Sequence, residues 1–114
     1  MSTQTNVHGD EVFVVVSLYT PKEGQLEPLL ALGKKGEAVI SAAPGLIQSQ
    51  LLRPVNETSA IGQISIWQSE ADFKGFVQSE AGQALLHSDD HHQAEAAATA
   101  VQVMTFQHVT GWHS

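Results

Sequence analysis

The chain has 114 residues, of which 42% are apolar, and its five Lys and Arg residues against twelve Asp and Glu residues give a formal charge of −7. This length allows a single domain with its own core. The acidic balance argues against nucleic acid and against an anionic membrane surface as partners, because both require a basic patch. Cysteine is absent, which excludes disulfides, a thiolate nucleophile and zinc sites built on sulfur.

The first ten residues are polar and lack the basic and then apolar pattern of a signal peptide. No apolar run approaches the roughly 20 residues that a membrane-spanning helix needs. We therefore expect a flexible N-terminal tail over residues 1–10 and one domain over residues 11–114, in a cytoplasmic protein.

The first predicted strand covers residues 12–19, which are β-branched, aromatic or apolar on both faces. Such a run is typical of a central strand covered on two sides. Residues 20–23 offer a helix start with a capping box, but Pro28 would then lie deep inside the helix. The regular helix is therefore predicted from residue 24 or 25 to residue 43, and Pro44-Gly45 ends it.

A hairpin is predicted next. Residues 46–53 and 59–67 have the composition and alternation of strands, and the turn-like residues 54–58 join them.

The second helical region begins at the capping box of residues 69–72. Ser79-Glu80 restarts the helix, which continues to His87. Residues 88–99 are compatible with a helix or an ordered loop, and residues 100–109 form the final predicted strand.

The order β-α-β-β-α-β predicts a ferredoxin-like α+β fold, with a four-stranded antiparallel sheet and the helices on one face. The helix-free face is expected to accommodate Trp67, together with Met104 and Phe106 or their valine neighbours. A single chain would leave this apolar surface in water, so we expect a homodimer in which two sheets cover one another.

Two segments of the chain carry a resemblance. Ala43-Pro44-Gly45-Leu46 and, after the hairpin, Ile66-Trp67-Gln68-Ser69-Glu70-Ala71-Asp72-Phe73 resemble the antibiotic biosynthesis monooxygenase domain over roughly residues 11–110. The resemblance implies a dimeric α+β barrel with a cavity between sheet and helices. It also implies oxidation of a phenolic, quinol or anthrone-like molecule with O2, without metal or flavin.

The same resemblance implies site residues. Trp67 matches the cavity tryptophan of the family, Gln63 stands where polyketide-oxidising members have asparagine, and Phe73 stands where they have tyrosine. His87 falls near their basic residue on the second helix. Gln63 and His87 are thus the expected catalytic pair, because an amide can donate to an oxyanion and a neutral imidazole can take a proton. Trp67 and Phe73 would wall the cavity.

Ser17 and His108 complete the expected substrate-binding set. Alternation with Met104 and Phe106 allows His108 on the last strand to face the interior, where a hydrogen-bonded structural histidine is favoured over a catalytic one. The haem-degrading branch of the fold pairs a histidine on the second helix with an asparagine on the first strand. His87 lies within one residue of that ligand position, but Ser17 or a neighbour stands in place of the asparagine, so haem is disfavoured.

Three alternatives remain. His87 and His91 could share a helical face as metal ligands, but a solvated polar connector explains the segment better, and we expect no metal site. No dinucleotide-binding loop is present, and we expect no cofactor. A non-enzymatic small-molecule-binding or stress-associated dimer is the main alternative function, and an outward-facing Gln63 and His87 would favour it.

Overall fold

The computed structural model describes residues 11–110. In this range the elements are β1 (Phe13–Pro21), α1 (Leu26–Ile40), β2 (Leu46–Leu52), β3 (Ile61–Trp67), α2 (Glu70–Gln78), α3 (Glu80–Leu86), α4 (Asp89–Ala96) and β4 (Ala98–Gln107). The predicted N-terminal tail and residues 111–114 lie outside the described residues.

The four strands form one antiparallel sheet in the order β2-β3-β1-β4. β1 is central, as its two apolar faces predict. The ferredoxin-like α+β fold is therefore confirmed, with the second helical region divided into α2, α3 and α4.

The first helix begins later than residues 20–23 suggest. Pro21 ends β1, so the helix start that residues 20–23 offer is not used, and α1 begins at Leu26, next to the predicted start at residue 24 or 25. Pro28 is the third residue of α1, in the first turn, where backbone N–H groups have no partner within the helix. A proline at this position removes no helical hydrogen bond, which is why the helix accepts it.

Serines divide the second helical region. Ser79 Oγ accepts a hydrogen bond from the N–H of Gly82 at 3.0 Å and donates to the carbonyl oxygen of Phe76 at 2.6 Å. Ser88 caps α4 in the same way by accepting from the N–H of His91 at 3.1 Å. Each serine therefore ends one helix and starts the next. The restart at Ser79 is confirmed, and residues 89–96 are helical.

The main core lies between the sheet and the helices. Phe13 and Trp67 are register partners on β1 and β3, and both pack with Ile40 of α1 and Phe76 of α2. The expectation that Trp67 lies on the helix-free face is wrong, because Trp67 and its register partner Phe13 share the sheet face that packs on the helices. Trp67 is 0% exposed.

The opposite sheet face is apolar and has no helix over it in the single chain. Val14 lies between Ile66 and Phe106, and Val16 lies between Ile64 and Met104. We call these six residues the open sheet face. Phe106 is 50% exposed. Within residues 11–110, no helix is long and apolar enough to cross a membrane.

Candidate functional site

A polar layer divides the core into two apolar clusters. The first cluster contains Phe13, Val15, Ile40, Trp67 and Phe76, and the second contains Leu29, Leu30, Ile61 and Ala98. On β1, α1 and β2, one polar residue lies between a residue packed in the first cluster and a residue packed in the second. On β3 there are two, Gln63 and the buried Ser65, and Ser65 accepts from Trp67 Nε1. The polar layer consists of Ser17 on β1, Glu37 on α1, Ser49 on β2 and Gln63 on β3.

Hydrogen bonds connect three members of the polar layer. Gln63 Nε2 donates to Ser49 Oγ at 3.4 Å, and Ser49 Oγ donates to Glu37 Oε2 at 2.9 Å. Ser17 is the register partner of Gln63 on β1. All four side chains are half-buried. The layer therefore presents an amide, two hydroxyls and a carboxylate between two apolar walls.

Glycines of α1 determine how closely the helix approaches this layer. A Cβ atom on Gly33 would lie 2.9 Å from Leu51 Cδ1, so α1 packs closely on β2 here and a larger residue would require the Leu51 side chain to move. One turn later, Glu37 reaches Ser49. Beside it, a Cβ atom on Gly36 would have Leu85 Cδ1 as its nearest neighbour, 4.0 Å away. The helix therefore packs closely on β2 at Gly33 and loosely against α3 at Gly36.

Trp67 is a satisfied core residue in the single chain. Its Nε1 donates to Ser65 Oγ at 2.9 Å, and its ring centroid lies 5.6 Å from that of Phe73 and 5.7 Å from that of Phe76. Phe73 also packs on Phe13 at 5.6 Å. A substrate ring would reach Trp67 only after one of these neighbours moved, so substrate stacking on Trp67 stays a prediction.

The two candidate histidines lie apart from the polar layer. His87 is exposed at the end of α3, and its Nε2 is 3.2 Å from Gln83 Oε1 on the same helix. His108 is exposed just after β4, and its backbone N–H donates to the carbonyl oxygen of Val12 at 2.8 Å. The structure brings Gln63 and Ser17 together and does not bring either histidine to them.

Tyr19 lies two residues beyond Ser17 on the helix-facing side of β1 and packs against the second cluster. Burial, and to a smaller extent the carboxylate of Glu95, raises the pKa of the Tyr19 hydroxyl above its ordinary value. This hydroxyl is therefore neutral at physiological pH and can donate a hydrogen bond.

Glu37 and Ser49 belong to none of the motifs that resemble the family, but the sequence pattern contains a signal for both. Glu37 interrupts the apolar stripe of α1 between Gly33 and Ile40. Ser49 shares its strand face with Leu51. A polar residue at an inward position on two neighbouring elements indicates a polar contact inside the fold.

The described part of the chain offers no metal site, and its two clefts lie away from the polar layer. Residues 11–110 contain no group of three or more His, Asp or Glu side chains that could hold a metal ion. Two clefts of about 490 and 540 Å³ lie where β1 leads into α1, and Lys22 and Glu23 line both. No residue of the polar layer lines either cleft.

Solved structures share this fold at low sequence identity. A protein from Shewanella oneidensis has a TM-score of 0.72 at 19% identity, covering 87% of this chain and 92% of its own. A protein from Mycobacterium tuberculosis has a TM-score of 0.72 at 14% identity, covering 88% and 97%. SnoaB, described as a cofactor-independent oxygenase from Streptomyces nogalater, has a TM-score of 0.68 at 18% identity, covering 90% and 96%.

The family model for antibiotic biosynthesis monooxygenase matches residues 12–101. The chain therefore belongs to the antibiotic biosynthesis monooxygenase family, as the Pro-Gly turn and the Trp67 segment predict. No curated protein sequence matches the chain significantly.

Proposed function

We propose that this protein is a monooxygenase that oxidises a phenolic, quinol or anthrone-like molecule with O2, without metal or flavin. The observation that carries the proposal is the polar layer, which places hydrogen-bonding groups between two apolar clusters. Family membership supports a monooxygenase-like role. The similar fold of SnoaB, described as a cofactor-independent oxygenase, supports the absence of a cofactor.

Gln63 is the proposed ligand for the substrate oxygen. A phenol or anthrone that loses a proton becomes an electron-rich anion, which can pass one electron directly to O2. The protein must then orient the substrate, exclude water and stabilise the oxyanion. The Gln63 amide can donate to that oxygen, Ser17 lies opposite it on β1, and the apolar clusters exclude water on both sides.

The other expected site residues enter as proposals. Trp67 and Phe73 form the apolar end of the cavity and move apart to admit an aromatic ring. His87 takes the substrate proton, and His108 contributes to binding, both after a rearrangement. His87→Ala tests this role, with His92→Ala as the matched control because His92 is also exposed on the neighbouring helix α4. Equal rates in the two variants would remove His87 from the site.

We also propose a homodimer joined through the open sheet face. Apolar side chains on three strands form this face, and a second copy of the chain offers the same surface for covering it.

Oxygen uptake tests the proposed activity. The purified, chelator-treated protein is incubated aerobically with a panel of quinols, anthrones and phenols, and O2 consumption is compared with that of buffer alone. We expect consumption that is proportional to protein concentration and selective for some panel members, from a protein with no Soret or flavin absorption. A Soret band, or oxidation that needs added metal, would contradict the proposal.

A non-enzymatic binding protein is the second candidate. It is favoured by the exposed position of His87, which lies apart from Gln63, because the polar layer then has no contact with the proposed general base. Tight binding of panel members without any O2 consumption would establish this alternative.

A further inference from the structure

We propose that Glu37, acting through Ser49, makes the site select ligands that carry a free hydroxyl group over ligands whose oxygen can only accept a hydrogen bond. This inference deepens the proposed function and rests on it, because it requires that the substrate binds at the polar layer. It gives a role to a carboxylate that the resemblance to the family does not assign.

The hydrogen bonds of the layer run in one direction. A carboxylate can only accept, so the Ser49 proton points towards Glu37 Oε2, at 2.9 Å. The free lone pairs of Ser49 Oγ then face Gln63, whose Nε2 donates to it at 3.4 Å. That second distance is at the long end for an N–H···O bond. A ligand oxygen can therefore replace Ser49 Oγ as the acceptor of this hydrogen bond from Gln63 at small cost.

A hydroxyl group matches this arrangement. When it binds, before the deprotonation that starts oxidation, its oxygen accepts from Gln63 Nε2 and its proton donates to Ser49 Oγ, while Ser49 continues to donate its own proton to Glu37. An ether or quinone oxygen also accepts from Gln63, but it has no proton to donate to Ser49 Oγ and therefore makes one hydrogen bond fewer than a hydroxyl group does. The loss of this hydrogen bond at a half-buried acceptor corresponds to about a ten-fold loss of affinity.

Glu37→Gln should relax this selection. A glutamine side chain can donate as well as accept. Ser49 can then accept from the new amide and turn its own proton towards an ether oxygen. The variant keeps the size of the side chain and its hydrogen bond to Ser49, so a purely structural role for Glu37 predicts no change in ligand preference.

The test compares binding of β-naphthol and its methyl ether to the full chain at neutral pH, where both ligands are uncharged. Naphthyl fluorescence gives the two dissociation constants without any oxygen chemistry. We expect the wild-type protein to prefer the naphthol by about ten-fold or more, and Glu37→Gln to reduce the preference to about two-fold. Glu80→Gln, an exposed glutamate at the start of α3, should retain the wild-type ratio.

The outcomes separate this inference from the proposed function. Equal affinity of the wild-type protein for both ligands, alongside retained oxygen uptake, overturns the role of Glu37 and leaves the oxygenase intact. Because the wild-type ratio alone can give this result, the test does not depend on the folding of a variant. A ratio unchanged in a folded Glu37→Gln protein also overturns the inference. Failure to bind naphthol at all, without oxygen uptake on any panel member, overturns both.

Discussion

Gly45 holds the turn between α1 and β2 in a conformation that other residues rarely adopt. Its φ angle is +84°, and its carbonyl oxygen accepts from the N–H of Gln68 at 2.8 Å. A Cβ atom at this position would also clash with the side chain of Asp72. The turn therefore connects the end of β3 and the start of α2 to the end of α1. Glycine is needed at this position because of the positive φ angle and because Asp72 leaves no room for a Cβ atom.

Gly45→Ala should lower the free energy of unfolding by about 1–3 kcal/mol, because alanine is strained in the left-handed region and would displace Asp72. Gly75→Ala is the control. Gly75 is exposed within α2, and a Cβ atom there would meet nothing within 4 Å, so the variant should gain up to about 1 kcal/mol of helix propensity. Urea unfolding measures both. A shift of the same sign in the two variants would contradict this account of the turn.

Tyr19 makes the stability depend on pH in alkaline solution. Its pKa is raised by burial and then by Glu95, so the folded chain holds this proton more tightly than the unfolded chain. As the pH rises past about 10, the unfolded chain releases its proton first and is stabilised by doing so. The free energy of unfolding should therefore fall above about pH 10.

Tyr19→Phe has no such titration and should lose stability less steeply between about pH 9 and pH 11. The measurement is the free energy of urea unfolding at several pH values for the two proteins. Parallel curves would show that Tyr19 is not held neutral in the folded state.

At the scale of elements, the serine caps determine where the second helical region breaks. Ser79→Ala removes both the N-cap of α3 and the bond to the Phe76 carbonyl oxygen, so we expect a loss of about 1–2 kcal/mol in unfolding free energy. Ser59→Ala, in the exposed β2–β3 connection, should change it by less than about 0.5 kcal/mol. An unaffected Ser79→Ala protein would mean that packing of α2 and α3 alone fixes the break.

The strands and caps were accessible from sequence because they depend on local chemistry. Alternation defines β2 and β3, and the N-cap serines Ser69 and Ser79 mark the starts of α2 and α3. The prediction that Trp67 lies on the helix-free face of the sheet is wrong, because the apolar end of β3 could pack on either face and the sequence does not show which face the helices cover. The register of Trp67 with Phe13 decides it.

The polar layer was only partly predictable for a related reason. The resemblance to the family points to Gln63, and the asparagine position of its haem-degrading branch points to Ser17 or a neighbour. Glu37 and Ser49 are far from Gln63 in sequence, and their contact depends on the register of β2 with β3 and on the approach of α1 at Gly33. These are tertiary features that no local pattern specifies.

At the scale of the whole molecule, the open sheet face predicts the assembly. Sedimentation at micromolar concentration should give twice the 12.2 kDa of one chain. Phe106→Asp should shift this species to the monomer, because a charge would then be buried between two sheets. Val55→Asp, at a fully exposed apolar residue of the β2–β3 connection, should leave the dimer intact. A wild-type monomer would overturn the dimer proposal.

The central claim is that chemistry takes place at the polar layer, and the turnover number of Gln63→Leu tests it most directly. Leucine keeps the approximate size of the side chain and removes the amide that is proposed to hold the substrate oxygen. Gln78→Leu, at an exposed glutamine at the end of α2, is the matched control, and circular dichroism checks that both variants fold. On a substrate that the wild-type protein oxidises, Gln63→Leu should lower kcat by about ten- to a thousand-fold while Gln78→Leu retains the wild-type rate. Wild-type turnover in a folded Gln63→Leu protein would contradict the account.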